Sequence, residues 1–341
     1  MNYRTLGRTG LQVSEIGFGC GNIGGLLDRG THEDQVIAVN RAQQLGINYF
    51  DTAPVYGDGK SELNLGRVLA GLKPNVILAT KVRLVADDLK DVRSAIKRSL
   101  ETSLSRLRRD YVDVLQLHNQ ISVKRDQPNW PDSLGLMDVL GRNGIADVFE
   151  NLRSEGLIRF FGFTGLGETS ALQQVIDSGH FDVVQAYYNL LNPSAGVAMP
   201  PGFGGHNFGQ LIDRAMGQNM GVVVIRVMAG GALGGEKART GYASPTVDGP
   251  IVPAGDYQPD QARARKLDFL LARDVGSLPQ ASVRFALMHP SVSTVLVGFS
   301  NLNQVEEAAG CSGKAPLPKT AIEHLMELWD TDFGRQQLST R

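Results

Sequence analysis

The sequence has few cysteines and little excess charge of either sign. Cys20 and Cys311 are its two cysteines in 341 residues, without a CxxC motif or a Cys/His cluster. This count argues against a disulfide framework and against a metal site, and it suits a reducing compartment. A net charge of −1 gives no basis for binding nucleic acid or an acidic membrane surface. We therefore expect no metal, no nucleic-acid partner and no membrane partner.

The sequence also lacks a long apolar segment. Its N-terminal residues contain no apolar signal-peptide core, and no uncharged run is long enough to span a bilayer. Hydrophobic residues make up 42% of the chain, which is enough to bury a large core. These features predict a soluble cytoplasmic protein whose ligand is not a polyanion.

What the sequence does contain is a regular alternation of apolar strands and amphipathic helices. A weak hairpin pattern over Tyr3 to Val13 precedes a first strand in Glu15–Gly21. Seven further strands are predicted at Asn48–Phe50, Val76–Thr80, Val112–Leu117, Ile158–Phe163, Val183–Tyr187, Val222–Val227 and Thr294–Val297. Helices are predicted between them at Ser61–Ala70, Leu89–Leu107, Ile145–Glu155, Ser170–Ser178 and Phe208–Gln218. The alternation predicts an α/β fold, a (β/α)8 TIM barrel with an N-terminal β-hairpin, as one domain over residues 1–341.

An open, doubly wound sheet is the alternative fold. Its dinucleotide fingerprint occurs only in broken form, as Gly17-Phe-Gly-Cys-Gly-Asn. The acidic residue expected about twenty positions later, after a second strand, is missing. The barrel therefore fits the sequence better.

Three predicted connections are longer than barrel links usually are. They are Asn119–Gly144, Asn192–Asn207 and Ala229–Gln258, and they follow strands four, six and seven. All three leave the carboxyl rim, where barrel enzymes place their active sites, so we predict that they form the walls and lid of a substrate pocket. Two loop aromatics, Trp130 and Phe203, are candidates for an apolar or sugar-stacking wall of that pocket, although aromatic residues that only anchor their loop are just as common.

Four polar residues follow three consecutive strands of the predicted barrel. Asp51 and Tyr56 follow the second strand, Lys81 ends the third and His118 ends the fourth. A phenol, with an ordinary pKa of about 10, is a poor acid at neutral pH unless a cation lies beside it, and Lys81 is a candidate for that cation. Asp51 would hold the ammonium, and His118 would donate a hydrogen bond to a substrate oxygen. This set suits proton transfer to a carbonyl that receives hydride.

Residue types alone leave two other interpretations open. Taken singly, each residue has a structural explanation in packing, snorkelling or a turn, and ion-pair networks also gather polar residues. A lysine at a strand end also permits Schiff-base chemistry at Lys81.

The chain resembles an aldo-keto reductase from end to end. The resemblance is carried by Tyr3-Arg-Thr-Leu-Gly-Arg-Thr-Gly-Leu-Gln-Val-Ser, Phe50-Asp-Thr-Ala-Pro-Val-Tyr-Gly with Ser61-Glu62, Thr80-Lys81, Arg106-Leu-Arg-Arg-Asp-Tyr-Val-Asp-Val-Leu-Gln-Leu-His118 and Gly156-Leu-Ile-Arg-Phe-Phe-Gly. It implies that Asp51, Tyr56, Lys81 and His118 form a catalytic tetrad, with the tyrosine as acid/base and the histidine orienting the carbonyl. It also implies a nicotinamide cofactor and a small carbonyl or sugar substrate. The alternative within the resemblance is a cofactor-binding regulatory subunit with little turnover, since some relatives attach to ion channels.

The resemblance further implies where the cofactor binds. Gln185 matches the glutamine that holds the nicotinamide carboxamide, while Thr164-Gly165 stands in place of the family's Ser-Asn pair. Ile225 replaces the usual stacking aromatic, and Arg226 is placed to meet the pyrophosphate. The adenosine-binding segment is matched by Gly298, Ser300, Gln304 and Glu307.

The resemblance favours NADP(H) over NAD(H), on family frequency. No lysine or arginine stands beside Ser300, where relatives that prefer NADP(H) carry one for the 2′-phosphate. Lys237 and Arg239 are candidates for folding over the adenosine end. We expect weak discrimination, with NAD(H) also bound.

Overall fold

The computed structural model describes residues 1–235, 239–245, 251–253, 257–271 and 274–334. Eight parallel strands close into a barrel, which confirms the TIM-barrel prediction and excludes the open sheet. In chain order the barrel strands are β3 (Ile16–Gly19), β4 (Tyr49–Asp51), β5 (Ile77–Val82), β6 (Val112–Leu117), β9 (Ile158–Gly165), β10 (Val183–Tyr187), β11 (Gly221–Ile225) and β12 (Thr294–Gly298). Because β12 pairs with β3, the sheet has no free edge.

The predicted N-terminal hairpin is present and closes the floor of the barrel. It consists of the antiparallel strands β1 (Tyr3–Thr5) and β2 (Gln12–Ser14). Leu6, between them, is fully buried. At Gly7 an added Cβ would lie 2.2 Å from the backbone nitrogen of Gly221, so only glycine allows this close approach.

Helices surround the barrel. They are α1 (Leu26–Arg29), α2 (His32–Gln44), α3 (Lys60–Leu72), α4 (Val92–Leu107), α5 (Leu136–Leu140), α6 (Ile145–Ser154), α7 (Thr169–Asp177), α8 (Leu211–Gly217), α9 (Tyr257–Ala264), α10 (Leu278–Met288), α11 (Leu302–Ala309) and α12 (Lys319–Asp330). Two short strands, β7 (Ile121–Ser122) and β8 (Leu134–Gly135), pair within the loop that follows β6.

Two helices begin later than the sequence predicted. Helix α4 begins at Val92 because Asp91 caps it, with its Oδ1 accepting the Ser94 N–H at 3.1 Å. Helix α8 begins at Leu211, because Gly209 and Gln210 before it have left-handed backbone conformations, with φ of 57° and 54°. A local side-chain cap therefore sets the start of α4, and a left-handed turn sets the start of α8.

The barrel interior has two layers of different chemistry. We use the name lower layer for the cluster nearest the hairpin. Its barrel residues are Tyr49, Ala79, Val114, Val183 and Val223. The upper layer is the set of inward residues two positions further along four of these strands. It consists of Asp51 on β4, Lys81 on β5, Gln116 on β6 and Gln185 on β10. Side chains alternate across a strand, so residues two apart point the same way. The upper layer is polar and fully enclosed.

Both cysteines are buried free thiols. No helix in the described part of the chain is long and apolar enough to cross a membrane. Within the same ranges, no group of three or more His, Cys, Asp and Glu side chains is arranged to hold a metal ion.

Candidate active site

The structure brings the four predicted catalytic residues together at the carboxyl end of the barrel. Lys81 Nζ donates hydrogen bonds to Asp51 Oδ1 and, at 2.8 Å, to the Thr52 carbonyl oxygen. It also lies 3.4 Å from the Tyr56 hydroxyl oxygen. The His118 ring stands edge-on to the Tyr56 ring, with centroids 5.7 Å apart. Tyr56 is therefore the member of the set that faces outward, with the ion pair behind it.

Burial and pairing fix the charges of this cluster. Asp51 and Lys81 are each 1% exposed. Burial is the largest single effect on Lys81 and opposes its ammonium form, but Asp51 and Tyr56 together outweigh it, so the pKa of Lys81 is raised above its ordinary value of 10.5. Burial holds the pKa of His118 well below 6.5, and three nearby cations act in the same direction. The cluster thus combines an ammonium with a neutral imidazole at neutral pH.

The second oxygen of Asp51 is held by two amides. Its Oδ2 accepts hydrogen bonds from Gln116 Nε2 at 3.0 Å and from Gln185 Nε2 at 2.7 Å. Both glutamines are buried in the upper layer. Because Lys81 occupies Oδ1, the Asp51 carboxylate has no rotational freedom left, and the ammonium position is fixed with it.

A buried glutamate supports the turn that carries Tyr56. Glu62, on α3, is fully buried and accepts a hydrogen bond from Thr80 Oγ1 at 2.6 Å. Its other oxygen pairs with Arg106 at 3.2 Å. Thr80 precedes Lys81 on β5, so this network ties the helix after the tyrosine turn to the strand that holds the lysine.

The cluster opens into a groove of about 620 Å³ across the barrel rim. All seven positions predicted to bind cofactor line this groove: Thr164, Gln185, Arg226, Gly298, Ser300, Gln304 and Glu307. Asp51, Tyr56 and His118 line it as well, whereas Lys81 lies behind them. The groove therefore connects the tetrad with the segment that matches an adenosine site.

The two ends of the groove are built differently. At the tetrad end, Thr164 Oγ1 lies 3.5 Å from Gln185 Oε1. At the far end, Ser300 donates both its N–H and its hydroxyl to Gln304 Oε1, at 2.7 and 3.0 Å. Asn301 caps α11 by accepting the Gln304 N–H at 3.1 Å. The partners of Ser300 in these bonds are thus neutral, although the Glu307 carboxylate lines the groove in the same segment.

Of the two candidate cations for the adenosine end, Arg239 is held away from it. Arg239 donates to the carbonyl oxygens of Gly230, at 3.2 Å, and Ser244, and it packs over the Tyr257 ring. It is held within its own loop. Lys237 lies outside the described residues.

Two of the three long loops contribute to the groove. Gln120, Pro131 and Asp132 line it from the loop after β6, and Thr240, Ala243 and Ile251 from the loop after β11. None of the residues from 192 to 207 does so. That segment packs on the loop after β6, where the His206 and Trp130 rings lie 5.0 Å apart.

Trp130 and Phe203, predicted as walls of the substrate pocket, are not among the groove-lining residues. The Trp130 side chain is 5% exposed because it is packed between the two loops. Its neighbour Pro131 faces the groove instead. The Trp130 ring anchors the loop. A loop has no regular alternation of side chains, so its sequence does not reveal which residue faces the groove.

Two site residues were missed by sequence reasoning. Gln116 precedes His118 by two residues on β6, and Arg83 follows Lys81 by two residues after β5. Strand alternation places both on the inward side, so the same periodicity that located the lysine and histidine could have found them.

Known proteins resemble this chain over most of its length. The L-galactose dehydrogenase of Arabidopsis thaliana is 29% identical over 313 residues, covering 89% of this chain and 86% of that protein. Aldo-keto reductase AKR11C1 from Bacillus halodurans, in its holo form, superposes with a TM-score of 0.70 at 25% identity over 96% of both chains.

An aldo/keto reductase from Klebsiella pneumoniae in complex with NADP and acetate shares the fold, with a TM-score of 0.67 and 20% identity over 97% of this chain and 96% of that one. A model of the aldo/keto reductase family matches residues 15–330. The chain therefore belongs to the aldo/keto reductase family, a family of oxidoreductases.

Proposed function

We propose that this protein is an NAD(P)(H)-dependent reductase or dehydrogenase that interconverts the carbonyl and alcohol forms of a small aldehyde, ketone or sugar. One observation carries the proposal: Lys81 Nζ bridges Asp51 and Tyr56 at the head of a groove lined by all seven cofactor-matching positions. A regulatory protein without turnover would not need this charge arrangement.

The groove has the chemistry that a nicotinamide dinucleotide requires. Its walls include Gly21, Gly24, Gly230 and Gly231, which let the backbone approach a ligand closely. Gln185 and Thr164 would hold the carboxamide, Arg226 the pyrophosphate, and Ser300 with Glu307 the adenosine. When bound, the cofactor supplies or accepts the hydride.

The protein's own residues transfer the proton. Tyr56 gives its hydroxyl proton to the substrate oxygen during reduction and takes it back during oxidation. The Lys81 ammonium stabilises the negative charge left on the Tyr56 oxygen, and Asp51 keeps that ammonium in place. Neutral His118 donates a hydrogen bond to the same substrate oxygen and so orients the carbonyl.

Turnover with a panel of substrates tests the proposal. The purified protein is assayed for oxidation of NADPH and NADH with aldehydes and ketones, and for the reverse reaction with alcohols and aldoses. L-Galactose is included because a relative is named as its dehydrogenase. Cofactor binding without turnover over the whole panel would instead support a regulatory subunit. Cofactor-independent trapping of substrate on Lys81 by borohydride would support a Schiff-base lyase.

We propose further that NADP(H) is preferred, but weakly. The family and the NADP complex of the Klebsiella pneumoniae relative support the preference. Its weakness follows from the neutral partners of Ser300, since a 2′-phosphate binds best with a charged partner. Dissociation constants for NADPH and NADH, measured by fluorescence quenching at low and high salt, test this. A strong preference for NADH at both salt concentrations would overturn it.

A further inference from the structure

An arginine stands one level above the upper layer, at the mouth of the barrel. Arg83 follows Lys81 by two residues, just past the end of β5, and therefore continues on the inward side. Lys81 is paired in register with Gln116 on β6, so Arg83 is level with His118. Arg83, Tyr56 and His118 all line the groove.

The backbone around Arg83 is fixed by the neighbouring strand. The His118 N–H donates to the Val82 carbonyl oxygen at 2.8 Å. Asn119 clamps the next residue, since its Oδ1 accepts the Leu84 N–H and its Nδ2 donates to the Leu84 carbonyl oxygen, both at 2.8 Å. Arg83 is thus held between two anchored residues, although its side chain is exposed.

The charges that lower the pKa of His118 are all positive. Lys81, Arg83 and Arg226 lie close enough to His118 to disfavour its protonation. Lys81 is neutralised by Asp51, and Arg226 has a partner of its own. Arg83 makes no hydrogen bond or ion pair with any residue in the described ranges. It is therefore the cation at this site that is ready for a ligand.

The presence of Arg83 in the groove makes a neutral, apolar ligand unfavourable there. Pro131, Leu166 and Ile251 line the same groove. A neutral ligand that covered Arg83 as well as these side chains would take the guanidinium out of water without giving it a counter-charge. Asp132 lines the groove too, but it is not among the charges acting on His118. An anionic group on the ligand would remove the penalty.

We infer that Arg83 binds a carboxylate on the substrate, so that the preferred substrates are acidic carbonyl compounds or sugar acids. A single guanidinium matches a carboxylate with two parallel hydrogen bonds, whereas a phosphate usually collects more donors than this site offers. The inference rests on the proposed function, because it assumes that the substrate oxygen lies at Tyr56 and His118.

The test compares acidic substrates with neutral analogues of the same shape. The three carboxybenzaldehydes are each measured against the corresponding formylbenzamide, and galacturonate is measured against galactose in the oxidative direction. In the wild type we expect kcat/KM to favour at least one acid by about tenfold or more, the effect of one charge-assisted contact. Arg83→Gln should abolish that ratio, and Arg83→Lys should restore part of it.

Arg67→Gln is the matched control. Arg67 is an exposed arginine on α3, outside the groove, so this variant makes the same charge change and should keep the ratio. A wild-type ratio below about twofold for every pair would overturn the inference, and so would a ratio that survives in Arg83→Gln. Neither result touches the proposed function, which fails only if no carbonyl compound is turned over.

A binding measurement tests the inference about Arg83 independently of turnover. With NADPH present, 3-carboxybenzyl alcohol and 3-hydroxymethylbenzamide are titrated calorimetrically, since neither can react with the reduced cofactor. We expect tighter binding of the acid, lost in Arg83→Gln and weakened by salt. Equal binding of both compounds by the wild type would contradict the inference.

Discussion

The lower and upper layers of the barrel stand on the same strands, two residues apart, yet their chemistry is opposite. Along β5 the inward residue changes from Ala79 to Lys81, and along β6 from Val114 to Gln116. Both layers are almost inaccessible to solvent. The lower layer is filled with apolar side chains, as a barrel core usually is.

This difference separates stability from chemistry. Burial of the lower layer stabilises the fold without any directional requirement. The upper layer carries a buried ion pair, whose desolvation costs about as much as its attraction returns. That pair is retained, on our proposal, because it positions an ammonium beside Tyr56. Variants in a single layer test whether the lower layer serves stability and the upper layer serves catalysis.

Lys81→Met should have the largest effect, on both activity and stability. It removes the cation beside Tyr56 and leaves the Asp51 carboxylate buried with only amide donors. We expect turnover to be lost and the free energy of unfolding to fall by about 3–5 kcal/mol, the usual result of breaking a buried pair. Steady-state kinetics and urea denaturation measure the two quantities.

The double variant Asp51→Asn/Lys81→Met is the control for this prediction. It removes both charges, so most of the lost stability should return while turnover stays absent. A double variant that remained as unstable as Lys81→Met would show that the lysine contributes packing rather than charge compensation.

Tyr49→Phe should have a small effect, because it changes the lower layer. The buried Tyr49 hydroxyl has no hydrogen-bond partner among the described residues. Its removal should leave stability unchanged or raise it by about 1 kcal/mol, with turnover preserved. Thermal unfolding and kcat measure this. A loss of several kcal/mol would show that the hydroxyl is satisfied in solution.

Arg83→Gln should produce the smallest change, in the pH dependence of turnover. Burial is the main cause of the low pKa of His118, and the positive charge of Arg83 lowers this pKa further. Removing this cation makes the imidazolium less unfavourable and so raises the pKa of His118 towards 6.5. The acidic limb of the kcat profile should move to higher pH, whereas Arg67→Gln should leave it in place. A shift to lower pH would contradict the assigned charge at His118.

Much of this site could be predicted from the sequence because side chains alternate between the two faces of a strand with a period of two residues. Asp51, Lys81 and His118 each end an apolar run, and a closed barrel brings neighbouring strand ends to one rim. The same logic applies to Gln116 and Arg83. Their residue types do not by themselves suggest proton transfer, although strand alternation places both on the inward side.

The loops could not be predicted in this way. Trp130 was expected in the substrate pocket, but the ring is buried between loops and Pro131 lines the groove. Which face of a loop turns inward depends on contacts with distant segments, here with His206. The start of α8 was also misplaced, because Gly209 and Gln210 form a left-handed turn next to Phe208, which bonds to Ser194, 14 residues away in the sequence.

Tyr56→Phe tests the assignment of chemistry to the upper end of the barrel most directly. The measurement is kcat for a carbonyl substrate found in the panel, together with the NADPH dissociation constant, in Tyr56→Phe and in Tyr49→Phe. We predict that Tyr56→Phe lowers kcat by a factor of about 10² to 10⁴, the usual contribution of an acid/base residue, with cofactor affinity unchanged. Tyr49→Phe should keep both values. Substantial carbonyl reduction by Tyr56→Phe would contradict its role as the proton donor.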